Sequence, residues 1–113
     1  MTLHPRLQAL DARELGDGMT LLVARTRRTR GRGLAGLDEL AADHALLLEP
    51  CRSVHTMGMR FALDLLWLDA GGELVRLDAA VAPRRMRSCR RARAVIECAA
   101  GHGEHFARTL PVA

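Results

Sequence analysis

Residues 63–81 read LDLLWLDAGGELVRLDAAV. Leu63 to Asp69 has the apolar density of a buried strand. Ala70-Gly71-Gly72 is a tight turn, and Glu73 to Val81 is the returning strand of a hairpin. Both faces of the first strand are apolar, which predicts a central strand covered on two sides. Asp64 sits in the middle of it, and a carboxylate there is costly unless it is paired and hydrogen-bonded.

Working outward, Met19 to Ala24 and Ala45 to Leu48 read as strands, as does the segment centred on Val95 and Ile96. Apolar residues at 34, 37, 40 and 41 follow helical spacing and predict a short helix from Leu34 to Ala42. Gly101 to Phe106 reads as a turn or short helix. Ala107 to Val112 reads as a last edge strand, where Pro111 is tolerated. Pro83 and the arginines after it read as a connection, and residues 1–18 as a loosely packed N-terminal segment. The expectation is a single α+β domain over residues 1–113. Its sheet is mainly antiparallel, twisted or barrel-like, with one or two short helices.

Composition narrows the function classes. Apolar residues make up 49% of the 113, enough to bury one core and too many for a disordered chain. All 17 basic residues are arginine, and the net charge is +4. The basicity belongs to two acid-free segments, RTRRTRGR at 25–32 and RRMRSCRRAR at 84–93. Together these could hold an anion, with Arg84 and Arg85 as candidate anion-binding residues, or RNA. The chain has no tyrosine, and Phe61, Trp67 and Phe106 lie in apolar contexts. The stacking platforms usual for RNA recognition are therefore missing. Three cysteines at 51, 89 and 98, with no CxxC, suggest free thiols. No apolar run reaches the length of a membrane span, and the first residues are too polar for a secretory leader. The expectation is a soluble, cytoplasmic protein without a membrane partner. No residue pattern demands a cofactor.

The chemistry concentrates in CRSVHTMGMRFALD, residues 51–64. In an extended chain Cys51, Ser53, His55, Met57 and Met59 share one side, with Gly58 permitting a bend. Glu97, like Asp64, is a carboxylate in an apolar strand. The candidate ligand-binding residues are Cys51, Ser53, His55, Thr56, Met59, Asp64 and Glu97, converging where the buried sheet reaches water. The functional expectation is a non-enzymatic module that binds a small molecule or peptide there. The alternative is a hydrolytic or metal-dependent enzyme using Cys51 or His55, with Asp64 or Glu97 orienting the imidazole. The competing structural reading is that both carboxylates are satisfied inside the fold. Met57 and Met59 could bind a soft metal but suit core filling better. His102 and His105 read as surface turn residues.

Arg32-Gly33-Leu34 with Leu37, then Cys51-x-Ser53-Val54-His55-Thr56-x2-Met59, Asp64, Asp69, Gly72, Val75 and Pro83 occur in that order. They are followed by Ala94 to Gly101 around Glu97. This pattern resembles the bacterial and archaeal family named domain of unknown function 192 (DUF192), over about residues 19 to 106. The resemblance implies a small, mainly β single domain without an assigned reaction. His55, Thr56, Met59 and Asp64 match motif positions. Many members resemble exported proteins, and the family commonly closes on a Gly-Asp turn and a last strand. This chain departs from both features.

Overall fold

The computed structural model describes residues 3–111. Among these residues there are eight strands, β1 (Asp11–Glu14), β2 (Thr20–Ala24), β3 (His44–Leu48), β4 (Ser53–His55), β5 (Leu63–Leu68), β6 (Leu74–Val81), β7 (Met86–Ser88) and β8 (Ala94–Ala99). They form an open six-stranded sheet, order β1-β2-β3-β8-β5-β6, and a separate two-stranded one, β4-β7. Three short helices complete the order: α1 (Pro5–Gln8), α2 (Arg27–Arg32) and α3 (Gly103–Ala107). The domain is α+β and mainly antiparallel, as expected. The large sheet ends on the free edges of β1 and β6 and does not close into a barrel.

The hairpin at 63–81 organises this sheet. All six residues of β5 are buried, and β5 pairs antiparallel with both β6 and β8. Side chains alternate across the sheet, so each strand feeds two cores. On one face Leu22, Leu46, Leu48, Leu63, Leu65, Trp67 and Val95 pack with Leu34, Leu37, Leu40 and Met59. On the other, Leu21, Val23, Leu47, Leu66, Leu68, Ile96 and Cys98 pack beneath Phe106 of α3. Burying one Leu or Phe side chain contributes about 1.5–3 kcal/mol, so two covered faces let a small domain hold together.

Four expectations need correction. The first is the helix at 34–42. Leu34, Leu37 and Leu40 are buried as its spacing implied, but they lie in a looping segment of turns. Gly33 at φ 48° and Gly36 at φ 81° leave helical geometry, and the Gly36 amide donates to the Gly58 carbonyl at 2.9 Å. The helix forms upstream as α2, started by a reciprocal cap between Thr26 and Thr29. Segment 25–43 thereby becomes the crossover that the one parallel pair, β2 with β3, requires.

Secondly, residues 3–18 are not loosely attached. Leu7 is buried in the core, and β1 extends the sheet beside β2. Thirdly, the second arginine segment is not only a connection, because Met86–Ser88 pairs with Ser53–His55 as β7 with β4. Finally, no strand covers residues 107–111, where α3 runs out into a turn. The remainder of that expected strand, Val112, lies outside the described residues.

Candidate functional site

Strand parity separates the two anomalous carboxylates. Asp64 pairs with Cys98, while Glu97 pairs with Leu65 and Leu46. Asp64 therefore faces the core under α3, and Glu97 faces the opposite one. The expected convergence of Asp64, Thr56, His55 and Glu97 does not form.

Asp64 is a structural clamp. Opposite it, β6 carries a bulge, with Leu63 paired to Val81 and Leu65 to Asp78. Ala80 takes φ 51° there. A bulge frees a backbone amide from the ladder, and the Ala80 amide donates to Asp64 Oδ1 at 2.8 Å. The amides of Gly101 and Gly103 donate to Oδ2 at 3.0 and 2.8 Å. Two segments, the β6 bulge and the turn into α3, are thus tied to one carboxylate. Thr56, just after β4, does similar work. Its hydroxyl donates to the Ala82 carbonyl at 2.7 Å and accepts from the Arg85 amide at 2.8 Å. Arg84 and Arg85 are exposed at the turn this threonine holds, with Arg84 at φ 65°.

The remaining candidates do meet. Cys51, Ser53, His55, Met59 and Glu97 line one cavity of about 410 Å³, together with α2 residues Arg30 to Arg32 and the glycine after them. Such a volume suits a small ligand. Met57 points elsewhere and is half exposed. Leu48, Val54 and Met59 supply apolar wall, and His55 is exposed at the rim. The Cys51 thiol donates to the Ser53 carbonyl at 3.2 Å. Burial pushes this thiol up, so it stays protonated and is a weak nucleophile.

Glu97 differs from Asp64 in one decisive respect. It is 1% exposed, yet its Oε1 has no hydrogen-bond partner among the described residues. Burial pushes its carboxyl up to about 7, with the Leu34 backbone amide acting in the opposite direction. The acid is therefore largely protonated below neutrality, able both to donate and to accept. Gly33 makes room for it: a Cβ at that position would lie 2.9 Å from Oε1. Gly33→Ala combines this clash with a left-handed φ. It should lower stability by about 1–3 kcal/mol, measurable by urea denaturation, whereas Gly31→Ala, with open space around it, should not.

Arg30 and Arg32 of α2 and Arg52 before β4 also line the cavity. None was singled out for this site in the sequence, although Gly31 and Gly33 interrupting the arginine run mark where the chain bends against Glu97. Among the described residues, no group of three or more His, Cys, Asp or Glu side chains is placed to hold a metal ion. No helix among them is long and apolar enough to cross a membrane.

The family model described as an uncharacterised ACR, DUF192, matches residues 10–107. The chain belongs to the DUF192 family. The match includes every residue of the DUF192 cavity, from Arg30 to Glu97. No curated protein matches the sequence significantly. Two solved structures share the DUF192 chain's fold. One, from Sinorhizobium meliloti 1021 and described as a candidate transcription regulator, has a TM-score of 0.71 at 19% identity, covering 88% of this chain and 85% of that one. The other, a protein of unknown function from Novosphingobium aromaticivorans DSM 12444, has a TM-score of 0.69 at 14% identity, covering 94% and 93%. At these identities the likeness is one of fold.

Proposed function

We propose that this protein is a non-enzymatic module that binds a small polar molecule in the cavity between α2 and residues 51–59. The observation that carries the reading is the unpartnered Oε1 of buried Glu97. Buried polar atoms in folded proteins nearly always have a partner, so one left without invites a ligand group. Asp64 provides the internal contrast. Also a buried carboxyl, in the neighbouring strand, it has three backbone donors.

A binding role fits the surrounding groups better than nucleophilic catalysis. The cavity's thiol is held protonated by burial, and the His55 to Asp64 pairing that would orient a base is absent, because Asp64 lies on the other face of the sheet. A thermal-shift screen of small polar molecules should find stabilisers of the wild type that no longer act on His55→Ala. His55 is exposed, so this variant should fold normally. Stabilisers that act equally on both proteins, and on Glu97→Leu, would place binding elsewhere and sink the reading.

A further inference from the structure

The charges around the cavity narrow the ligand class. Among the described residues its one acid is the buried Glu97, while three arginines, Arg30, Arg32 and Arg52, also line it, the last two exposed. Arg30 is anchored through Nη1 to the Pro50 carbonyl at 2.6 Å and through Nε to the Thr26 carbonyl at 3.3 Å. Arg52 is anchored through Nε to the Ala92 carbonyl at 3.0 Å. These backbone bonds fix where the two arginines sit. Among the described residues neither they nor Arg32 makes a carboxylate pair, whereas Arg25, Arg60 and Arg76 each do. Guanidinium forks held beside a concave surface suit an oxyanion. Glu97 suits the opposite chemistry. Among the described residues no ion pair reaches Glu97, so a buried anion there would face a carboxyl without a compensating cation. The cavity also has the apolar walls of Leu48, Val54 and Met59.

Resting on the binding role above, we propose that the ligand is a small amphipathic oxyanion, a carboxylate or a phosphate monoester. Its charged end meets Arg30, Arg32 and Arg52, its apolar spine crosses the cavity, and a neutral hydroxyl or amide end bonds Glu97. The chain selects this class by sorting charge along the cavity. A molecule anionic at both ends is rejected at Glu97, and an uncharged one leaves the arginines unused.

Calorimetry with three probes tests this: 6-hydroxyhexanoate, 6-hydroxyhexyl phosphate and the neutral methyl 6-hydroxyhexanoate. At least one anion should bind about tenfold more tightly than the ester, the advantage weakening with salt. The stronger anion distinguishes the carboxylate from the phosphate source. The double variant Arg32→Ala with Arg52→Ala, both exposed positions, should remove most of that advantage. Glu97→Leu should weaken all three probes. Equal binding of ester and anions, or anion binding unchanged in the double arginine variant, overturns the ligand class while leaving the cavity's binding role intact. Binding of all three unchanged in Glu97→Leu overturns the role itself. Absence of binding by either anion also overturns the ligand class, and the thermal-shift screen then decides the role separately.

Discussion

Asp64→Ala is expected to be among the most damaging single substitutions in this protein, lowering stability by about 3–5 kcal/mol. The residue is 4% exposed, and its two oxygens accept from the amides of Ala80, Gly101 and Gly103. Leaving a buried donor unsatisfied costs about 1–3 kcal/mol, and alanine leaves three. The loss is not confined to one place. The bulge in β6 loses the acceptor for its freed amide, and the segment leading into α3 loses its tie to β5. Phe106, on α3, is fully buried against the sheet, so loosening that helix also uncovers one of the two cores. Asp64→Asn keeps the shape but replaces one acceptor oxygen by a donor. It should recover part of the loss and no more. Urea denaturation of the three proteins measures this order, and a near-neutral Asp64→Ala would refute the clamp. Gly103 belongs to the same device, since a Cβ there would sit 2.8 Å from Asp64 Oδ2.

Glu97 should impose an unusual pH dependence. Burial raises its folded pKa to about 7 from the ordinary 4.5, so between those values the native state holds a proton that the unfolded chain has released. Stability is then highest below about pH 4.5, as far as this group is concerned. It declines as pH rises towards 7 and levels off above that. At about 1.4 kcal/mol per pKa unit the decline amounts to about 3 kcal/mol. Asp78 acts in the other sense. Burial would raise its carboxyl, but the bonds from Arg76 and Trp67 outweigh burial and hold it below the ordinary value. Its contribution is present at neutral pH and is lost only on acidification. Glu97→Gln is neutral at every pH and similar in volume. The difference in stability between it and the wild type isolates the Glu97 effect, and should grow in favour of glutamine from pH 4.5 to about 7. A difference that stays flat across this range would show that the carboxyl is not held protonated. A ligand that bonds the protonated acid should move the decline to higher pH, since it stabilises the protonated form.

Much of the sheet was legible because its strands are apolar and bounded by glycine or polar turns. The hairpin at 63–81 needs only local alternation, turn chemistry and the depth of apolar character in β5. The misplaced helix at 34–42 shows the limit of periodicity. Leu34, Leu37 and Leu40 are spaced to bury on one side, and a looping chain can satisfy that spacing as well as a helix. The cap that starts α2 was present in the sequence as Thr26 and Thr29, but arginines on its exposed surface carry no apolar stripe to advertise a helix. Likewise, the pairing of β7 with β4 joins short segments about thirty residues apart, too brief for a local pattern.

Of the candidate site, the residue types were evident and their grouping was not. By itself the sequence determined that two carboxylates lie in buried strands, that Cys51 to Met59 carries the polar side chains, and that the arginines fall in two segments. Tertiary structure decided which of these share a space. The antiparallel register of β5 with β8 turns Asp64 and Glu97 to opposite faces, because a side chain's face is set by parity in the pairing and a shift of one residue would exchange them. The crossover between β2 and β3 then carries Arg30, Arg32 and Gly33 over the face that Glu97 occupies. A carboxyl whose two oxygens both accept backbone amides is a fastening, while one with an unpartnered oxygen beside a cavity can receive a ligand. That difference lies in the pairing of distant strands, which local sequence does not encode.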